Sequence, residues 1–557
     1  MLAALLLIVP LGANADERED LEKLRATVLS LIDTLVKNHI LPREKADEMM
    51  REAESRANSK LAQSPPAEIG PDGKKIVRVP YVPEAVKVQM RDEIKADVLA
   101  ETHNELLGLA SVNEASRIQW EGDFRLRAEP VRLDKSNTPA SSYGSNQNLT
   151  RAGDIWLTNG NINPNFSPQE NATYTRLSGR LGAKANVSDT MSAGLALSTG
   201  STTTFPVSTS QTMGEGFNRY TVDLNLAYLK YDPVSWLSMS GGRFSNPYLG
   251  TDLIWADDLK FEGFALSLKP RQTPTDNLFF TAGWFPISAG WFPFSLSNTK
   301  ATPNRSLAAV QGGFDWQLGP KENRFKLGAA LYNYIGMQGE AQTTQDFLSG
   351  SPEYLSSEYA TGFRQHGNTL FRINAPNSGP NPDNNTNWGL ASAFRELDLT
   401  GRVDIGQFDP IHVVLTGDLV KNLAFNRNQI QNRICANNIT GSCQAVTDGG
   451  SFGFLGRILV GAPTTTKRGD WSVSMEYRYL GSDAVLDAFN NPDFGLGGTN
   501  NKGTILGMNY GVDKNAWVSA RWMSSDLVDS MVPATSTASA PTKFSVDVIQ
   551  VDLNTKF

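Results

Sequence analysis

From Arg117 to its last residue the chain keeps one period, in which apolar and polar residues alternate through about sixteen separate segments. Successive side chains of a strand point to opposite faces, so each segment reads as a strand with one apolar and one polar face. Trp120, Gly122, Phe124, Leu126 and Ala128 alternate with Glu121, Asp123, Arg125 and Arg127. Val222, Leu224, Leu226 and Tyr228 interleave with Asp223 and Asn225, and Phe325, Leu327, Ala329 and Leu331 continue the pattern. Ile411, Val413, Leu415, Gly417 and Leu419 oppose His412, Thr416 and Asp418. Trp471, Val473, Met475, Tyr477 and Tyr479 oppose Ser472, Ser474, Glu476 and Arg478. The last segment sets Ile549, Val551, Leu553, Thr555 and Phe557 against Gln550, Asp552, Asn554 and Lys556.

The connections decide between a barrel and a sandwich. After the first strand they run long, short, long, short. The short ones lie near Ser188-Asp189, Asp232–Val234, Lys269–Asp276, Gly319–Glu322, Gly406–Pro410, Pro463–Gly469 and Asp513–Asn515. The long ones include Val131–Ala172, Ser245–Asp258, Ile335–Asn387 and Gly481–Gly503. A barrel in an outer membrane sorts its connections this way: short turns face the periplasm, long loops face the exterior, and an even strand count leaves both ends inside. A Greek-key sandwich has no reason to do so. Lipid cannot satisfy an open sheet edge, so the first and last strands must pair. The expected fold is an all-β transmembrane barrel of about sixteen antiparallel strands over residues 117–557, apolar outside and polar inside. That many strands leave an aqueous channel, whereas eight would be filled by side chains. Tyr220, Trp236, Tyr477 and Trp522 are expected at strand ends, in the lipid interfaces.

Composition agrees. The chain has 557 residues, a net charge of −7 and 20% charged residues. No internal run approaches the ~18 apolar residues of a spanning helix, so a membrane reading rests on strands. The mild acidity, without a basic block, argues against a nucleic-acid partner. Two or more soluble domains would be the ordinary alternative at this length.

The lead-in is different in kind. Residues 1–15 read as a signal peptide, with an apolar core at Leu2–Leu11, then Ala13-Asn14-Ala15 and charge from Asp16. No Lys or Arg precedes that core, so either the start codon is misassigned or the amino group alone supplies the charge. Residues 16–58 are helical, with Leu21, Leu24, Val28, Leu31 and Leu35 in a short coiled-coil seam. They form a helical hairpin packed on itself or a periplasmic oligomerisation stalk. Residues 59–83 are a Pro/Gly/Lys linker, and residues 84–116 hold a periplasmic helix with Val86, Met90, Ile94 and Val98 on one face. Cys435 and Cys443 lie close in a loop-like stretch, and an exported protein would join them in a disulfide. Metal ligation is the weaker idea, because no His is near.

Chemistry is sparse. His39, His103, His366 and His412 are scattered, and no HExxH pair, GxSxG elbow or phosphate-binding GxxxxGKS stretch occurs. No enzyme, cofactor or metal is expected.

Thr251–Leu266, TDLIWADDLKFEGFAL, resembles the signature of the putative-porin family of Gram-negative bacteria. Val79–Glu84, VPYVPE, and Glu121–Arg127, EGDFRLR, resemble its other recurrent stretches. The resemblance covers nearly the whole chain and implies passive diffusion of small hydrophilic solutes through a water-filled outer-membrane channel, with no defined cargo. Ending on Phe557 resembles the assembly signal of outer-membrane barrels, read by the barrel-assembly machinery. Outer-membrane lipid, lipopolysaccharide and small polar solutes are the other partners expected, and the strand count resembles general porins, which implies a homotrimer.

In general porins the third exterior loop folds inward and narrows the pore. Here that loop, Ser245–Asp258, carries Asp252, Asp257 and Asp258, while the polar faces of early strands carry Arg125, Arg127, Arg176 and Arg180. Carboxylates on such a loop opposite wall arginines would set a transverse field across a constriction. The alternative is that the aspartates make turn and wall hydrogen bonds and hold the loop rigid. The alternative function is a structural outer-membrane anchor, tethering the envelope or a periplasmic partner through the N-terminal helices.

Overall fold

The computed structural model describes residues 117–139, 157–158, 161–162, 168–200, 207–214, 216–273, 275–288, 305–319, 323–341, 357–359, 363–373, 388–436, 448–529 and 543–557. The expected signal peptide, coiled-coil segment, linker and periplasmic helix (residues 1–116) lie outside them, as does Cys443 and with it the disulfide.

Sixteen long strands follow one another: β1 Ile118–Leu133, β2 Ala172–Asn186, β3 Met191–Thr199, β4 Val222–Val234, β5 Leu237–Ser245, β6 Lys260–Gln272, β7 Asp276–Ser288 and β8 Arg305–Gln317. Then come β9 Arg324–Ile335, β10 Arg395–Phe408, β11 Ile411–Asn422, β12 Phe452–Gly461, β13 Trp471–Leu480, β14 Asn501–Asp513, β15 Ala516–Leu527 and β16 Ser545–Lys556. Each pairs antiparallel with its sequence neighbours, and the two-residue strand Gln211–Thr212 from the second long loop adds to β2. β1 pairs with β16 from Asp123↔Lys556 to Leu133↔Val546, so the sheet closes into a barrel. The terminal residue completes that seam: Gly122 N–H donates to the Phe557 carbonyl and Phe557 N–H to the Gly122 carbonyl, both at 3.0 Å. No described helix is long and apolar enough to cross a membrane. A closed sheet meets the same need, because no edge group is left unpaired.

Outward and inward faces follow the expected alternation. On β16, Ile549, Val551 and Leu553 are exposed while Gln550 and Asp552 are buried; on β13, Trp471, Val473, Met475 and Tyr477 point out and Glu476 and Arg478 point in. Two expectations shift. Val222 and Leu224 face outward, but a register irregularity opposite Ala196/Leu197 reverses the alternation. Leu226 is therefore buried and Leu229 and Tyr231 take the outer face, as an extra bulged residue requires. Trp522 is exposed as expected but sits mid-strand in β15, whereas Trp120, Trp316, Phe408, Trp471, Tyr510 and Phe557 ring the short-turn end.

The interior also differs from a uniformly wet tube. Towards the long-loop end, inward residues such as Val131, Phe261, Phe285, Tyr332, Tyr334 and Val548 are apolar or aromatic and buried. They pack on long loops that fold inward, and those loops supply Leu253, Ile254, Trp255, Val485 and Phe494 to one continuous hydrophobic cluster. In the sixth loop a helix, α1 Arg427–Ala436, starts at Asn426, whose side-chain oxygen accepts from Gln429 N–H at 3.1 Å. Its Ile430 and Ile434 pack with Phe371 and Ile373 of the fifth loop.

Candidate functional site: the loop inside the barrel

The third long loop, residues 246–259, is tied to strands all around the cylinder, which places it inside. Its start is shaped locally: Asn246 Oδ1 accepts from Tyr248 N–H at 2.9 Å, and Thr251 caps a short turn through Leu253 N–H at 3.2 Å. Leu249 is bracketed by Gln311 of β8, which accepts from its N–H at 2.7 Å and donates to its carbonyl at 2.6 Å. Thr251 donates to Asp418 of β11. Asp252 reaches Arg457 of β12 at 3.2 Å and Arg478 of β13 at 2.9 Å. Asp258 lies 3.9 Å from Arg125 of β1 and accepts from the Thr209 hydroxyl at 2.9 Å.

Apolar packing fixes the loop as firmly as these bonds. The Trp255 ring meets Phe261 at 4.9 Å and Tyr332 at 5.0 Å, both edge-on, and Tyr248 meets Tyr332 at 5.4 Å. The wall makes room with small residues. A Cβ on Gly283 would fall 2.6 Å from the Tyr248 hydroxyl, and one on Gly328 would fall 3.1 Å from Leu249.

Asp252 is the anchor. It is 8% exposed and shares Arg457 and Arg478 with Glu476, so two carboxylates meet two guanidiniums in one buried group. Burial alone would raise the Asp252 carboxyl, but Arg478 and Arg457 outweigh it and hold the group below the usual carboxylate range. The seventh loop joins here: Asn491 donates to Asp252, and Ala256 N–H donates to the Phe489 carbonyl at 2.8 Å. Two residues on, Asp493 lies 3.1 Å from Arg127 and 3.2 Å from Arg521; burial opposes its charge, yet the two arginines depress it as well.

The expected residues therefore divide. Arg125 and Asp258 are brought together with side chains 25% and 33% exposed, and Asp257 is exposed and makes no ion pair among the described residues. Arg180 pairs with Asp123, and Arg176 lies 3.0 Å from Glu129. Arg127 is almost fully enclosed by Asp552, Asp493 and Glu129, and Asp252 meets none of the four named arginines. The residues that complete these networks, Glu129, Arg457, Glu476, Arg478, Asn491, Asp493, Arg521 and Asp552, were not singled out in the sequence. Glu476, Arg478 and Asp552 were legible only as polar-face positions; Glu476 and Arg478 share one strand, but Asp252 lies 226 residues from Arg478 and Arg127 lies 425 residues from Asp552. On the short-turn side of the loop, a cavity of about 940 Å³ is lined by Lys230, Thr281, Gln311, Asp315 and Lys326 together with Tyr248 and Leu249.

A sequence model of the family described as putative porin matches residues 25–557. No curated relative matches. Among solved structures, the high-pH structure of Pseudomonas putida OprB is 11% identical with a TM-score of 0.41, the alignment covering 81% of this chain and 97% of that one. The outer membrane channel DcaP of Acinetobacter baumannii is 10% identical with a TM-score of 0.37, covering 79% and 97%. Salmonella typhi OmpF in complex with daunomycin is 10% identical with a TM-score of 0.35, covering 79% and 97%.

Proposed function

The chain belongs to the putative-porin family, an outer-membrane β-barrel channel, and from that premise we propose that it passes small hydrophilic solutes by passive diffusion along the space its third loop leaves free. The observation that carries this reading is the inward loop itself, latched to β8, β11, β12 and β13 while partly exposed charges of both signs, Asp258 and Arg125, remain beside it. Asp257 and Asp258 on the loop, with Arg125, Arg176 and Arg180 on the wall, form the constriction. Asp252 and Arg127 hold its shape. A transverse field between the two sets orders polar solutes and selects by size and charge. The assembly is a homotrimer embedded in outer-membrane lipid and lipopolysaccharide, delivered by the barrel-assembly machinery through its terminal Phe557, and residues 16–116 lie in the periplasm.

Planar-bilayer recording and a liposome-swelling series with sugars, amino acids and organic acids test it. Stepwise conductance and swelling that slows with solute size are expected. Folded intact protein that never conducts would remove the channel and leave the anchor role. Barrels lacking Asp16–Ala57 that still form trimers and conduct would make the helices accessory.

A further inference from the structure

Where the third loop rejoins the wall, at the first residue of β6, Lys260 is only 8% exposed. A lysine enclosed to that degree is ordinarily paired. Among the described residues the Lys260 ammonium makes no ion pair and no hydrogen bond. Asp258 is taken by Arg125 and the Thr209 hydroxyl, and Glu262 by Arg243 at 3.5 Å. At longer range Lys260 has two carboxylates, Asp258 and Asp257, and two guanidiniums, Arg180 and Arg243, as neighbours, so its surroundings leave its charge uncancelled.

Lys260 borders a cavity of about 190 Å³ between the third, fifth and seventh loops and strands β5 to β8. Its lining is otherwise mostly apolar: Trp255 from the third loop, Phe261 from β6, Phe285 from β7, Leu307 from β8, Phe363 from the fifth loop and Phe489 from the seventh. The rings hold one another edge-on or tilted. Phe261 lies 4.9 Å from both Trp255 and Phe285, and Phe489 lies 5.6 Å from Phe363 and 6.3 Å from Trp255. Three lining residues are charged, and two of them, Arg243 and Glu262, answer each other. The Glu262 side chain is 67% exposed, so the charged edge of the cavity is its open edge. One unpaired cation thus stands at the mouth of a preformed aromatic box.

We propose that this cavity seats a small aromatic monocarboxylate, one ring wide. The Lys260 ammonium donates to the carboxylate oxygens, and the ring enters among Phe285, Phe363 and Phe489, where edge-to-face contact is available. A mostly apolar lining with one convergent polar group is the ordinary make-up of a small-molecule site. Size sets the ring count, because an apolar cavity of ~150 Å³ takes one benzene. Charge sets the rest. A single unpaired cation answers one anion, and a second carboxylate on the solute would meet the rings or Glu262. A sugar would bury hydroxyls against rings that offer no acceptor. An acid without a ring would leave the box unfilled. The inference rests on the channel reading above and deepens it by naming a solute held beside the inner loop.

The test uses the full-length protein in planar bilayers, with benzoate, acetate or benzamide added at equal concentration to potassium chloride. Saturation-transfer NMR on the detergent-solubilised protein reads binding without current. Benzoate should interrupt the current saturably and show saturation transfer, while acetate, which lacks the ring, and benzamide, which lacks the charge, should do neither at that concentration. Lys260→Met should raise the half-blocking benzoate concentration about tenfold or more, as the loss of a charge-assisted hydrogen bond implies. Phe363→Leu, in a loop outside the barrel wall, should raise it by a smaller factor and serves if Lys260→Met does not assemble. Equal action of acetate or benzamide, or a half-blocking concentration that neither variant moves, overturns the proposal. A protein that conducts but shows no benzoate block and no saturation transfer sinks this inference alone. One that never conducts sinks the channel reading, and saturation transfer to benzoate then still decides whether the cavity binds it.

Discussion

Arg127 and Asp552 stand opposite each other in the register where the first strand meets the last, and the guanidinium grips the carboxylate with two hydrogen bonds of 2.8 and 3.0 Å. The pair sits on the inner face of the closing seam, and Arg127 also answers Asp493 of the seventh loop at 3.1 Å. One buried cation thus ties together the two ends of the barrel and a loop from its mouth. Arg127→Leu would leave Asp552 and its neighbours enclosed without that cation, and breaking a buried pair from one side costs about 3–5 kcal/mol. The double change Arg127→Leu/Asp552→Leu removes the stranded charge and should be milder than the single one. Urea unfolding midpoints of the refolded barrel decide it; a single variant no worse than the double would mean that the seam does not depend on this pair.

How much of this was legible follows from the range of each signal. The face pattern of β16, with Ile549, Val551 and Leu553 opposite Gln550 and Asp552, is written in adjacent residues, so strand count, sidedness and closure could be read directly. The bulge that buries Leu226 leaves no mark in a period-two reading, because Asn225 is as acceptable on a polar face as in a bulge. The partners of Asp252 could not be read at all: Arg457 and Arg478 lie more than two hundred residues away, and nothing local distinguishes them from other inward arginines. The aromatic wall under Trp255 was hidden for a related reason. Inward Phe261 and Tyr332 look like breaks in the polar face until the loop that covers them is in place.

Removing the Asp252 carboxylate should free the inner loop. Asp252→Ala leaves Arg457 and Arg478 with Glu476 alone and takes away the acceptor of Asn491. Open-channel current should become noisy, with brief partial closures as the loop moves. In the unchanged protein the carboxyl is depressed, so its contribution is present above the ordinary value near ~4 and is lost only as pH falls through the lower folded one. Current noise should therefore be level from about pH 8 to 5. A quiet Asp252→Ala channel would show that apolar packing alone holds the loop.

The two loop aspartates should govern which ion passes. Asp257→Asn/Asp258→Asn removes the carboxylate that faces Arg125 and the one next to it on the loop, and leaves the Asp252 anchor intact. Reversal potentials in a salt gradient should move toward anion preference. Unchanged conductance and preference would take both residues out of the constriction.

Gly283 should tolerate no side chain. It lies on the inner face under Tyr248, and Tyr248 packs in turn on Phe285 at 6.2 Å and Tyr332 at 5.4 Å. A Cβ there would also fall 2.4 Å from the Phe285 ring. Gly283→Val should push the loop away from β7 and change single-channel conductance, while overpacking costs ~1–3 kcal/mol of stability. Conductance equal to the parent protein would mean that the loop reseats without altering the opening.

The exterior mouth should loosen as pH rises. Asp487 of the seventh loop is buried, accepts a hydrogen bond from the Tyr359 hydroxyl of the fifth loop, and has Arg364 and Asp483 as its charged neighbours. Its backbone N–H donates to Asn368 at 2.8 Å, so the group sits where the two loops are joined. Burial pushes its carboxyl up to about 7, Asp483 adds to the rise, and Tyr359 and Arg364 only partly offset it. The neutral form is thus the one that the packed loops favour. A raised folded value means that the contribution is fully present below the ordinary carboxyl value of ~4 and is lost as pH climbs through the folded one. Fluctuation of the current from the exterior side should grow between about pH 6 and 8 in the parent protein. Asp487→Asn keeps the acceptor for Tyr359 without the charge, so its record should stay as quiet at high pH as at low. Noise that rises equally in both proteins would place the titrating group elsewhere.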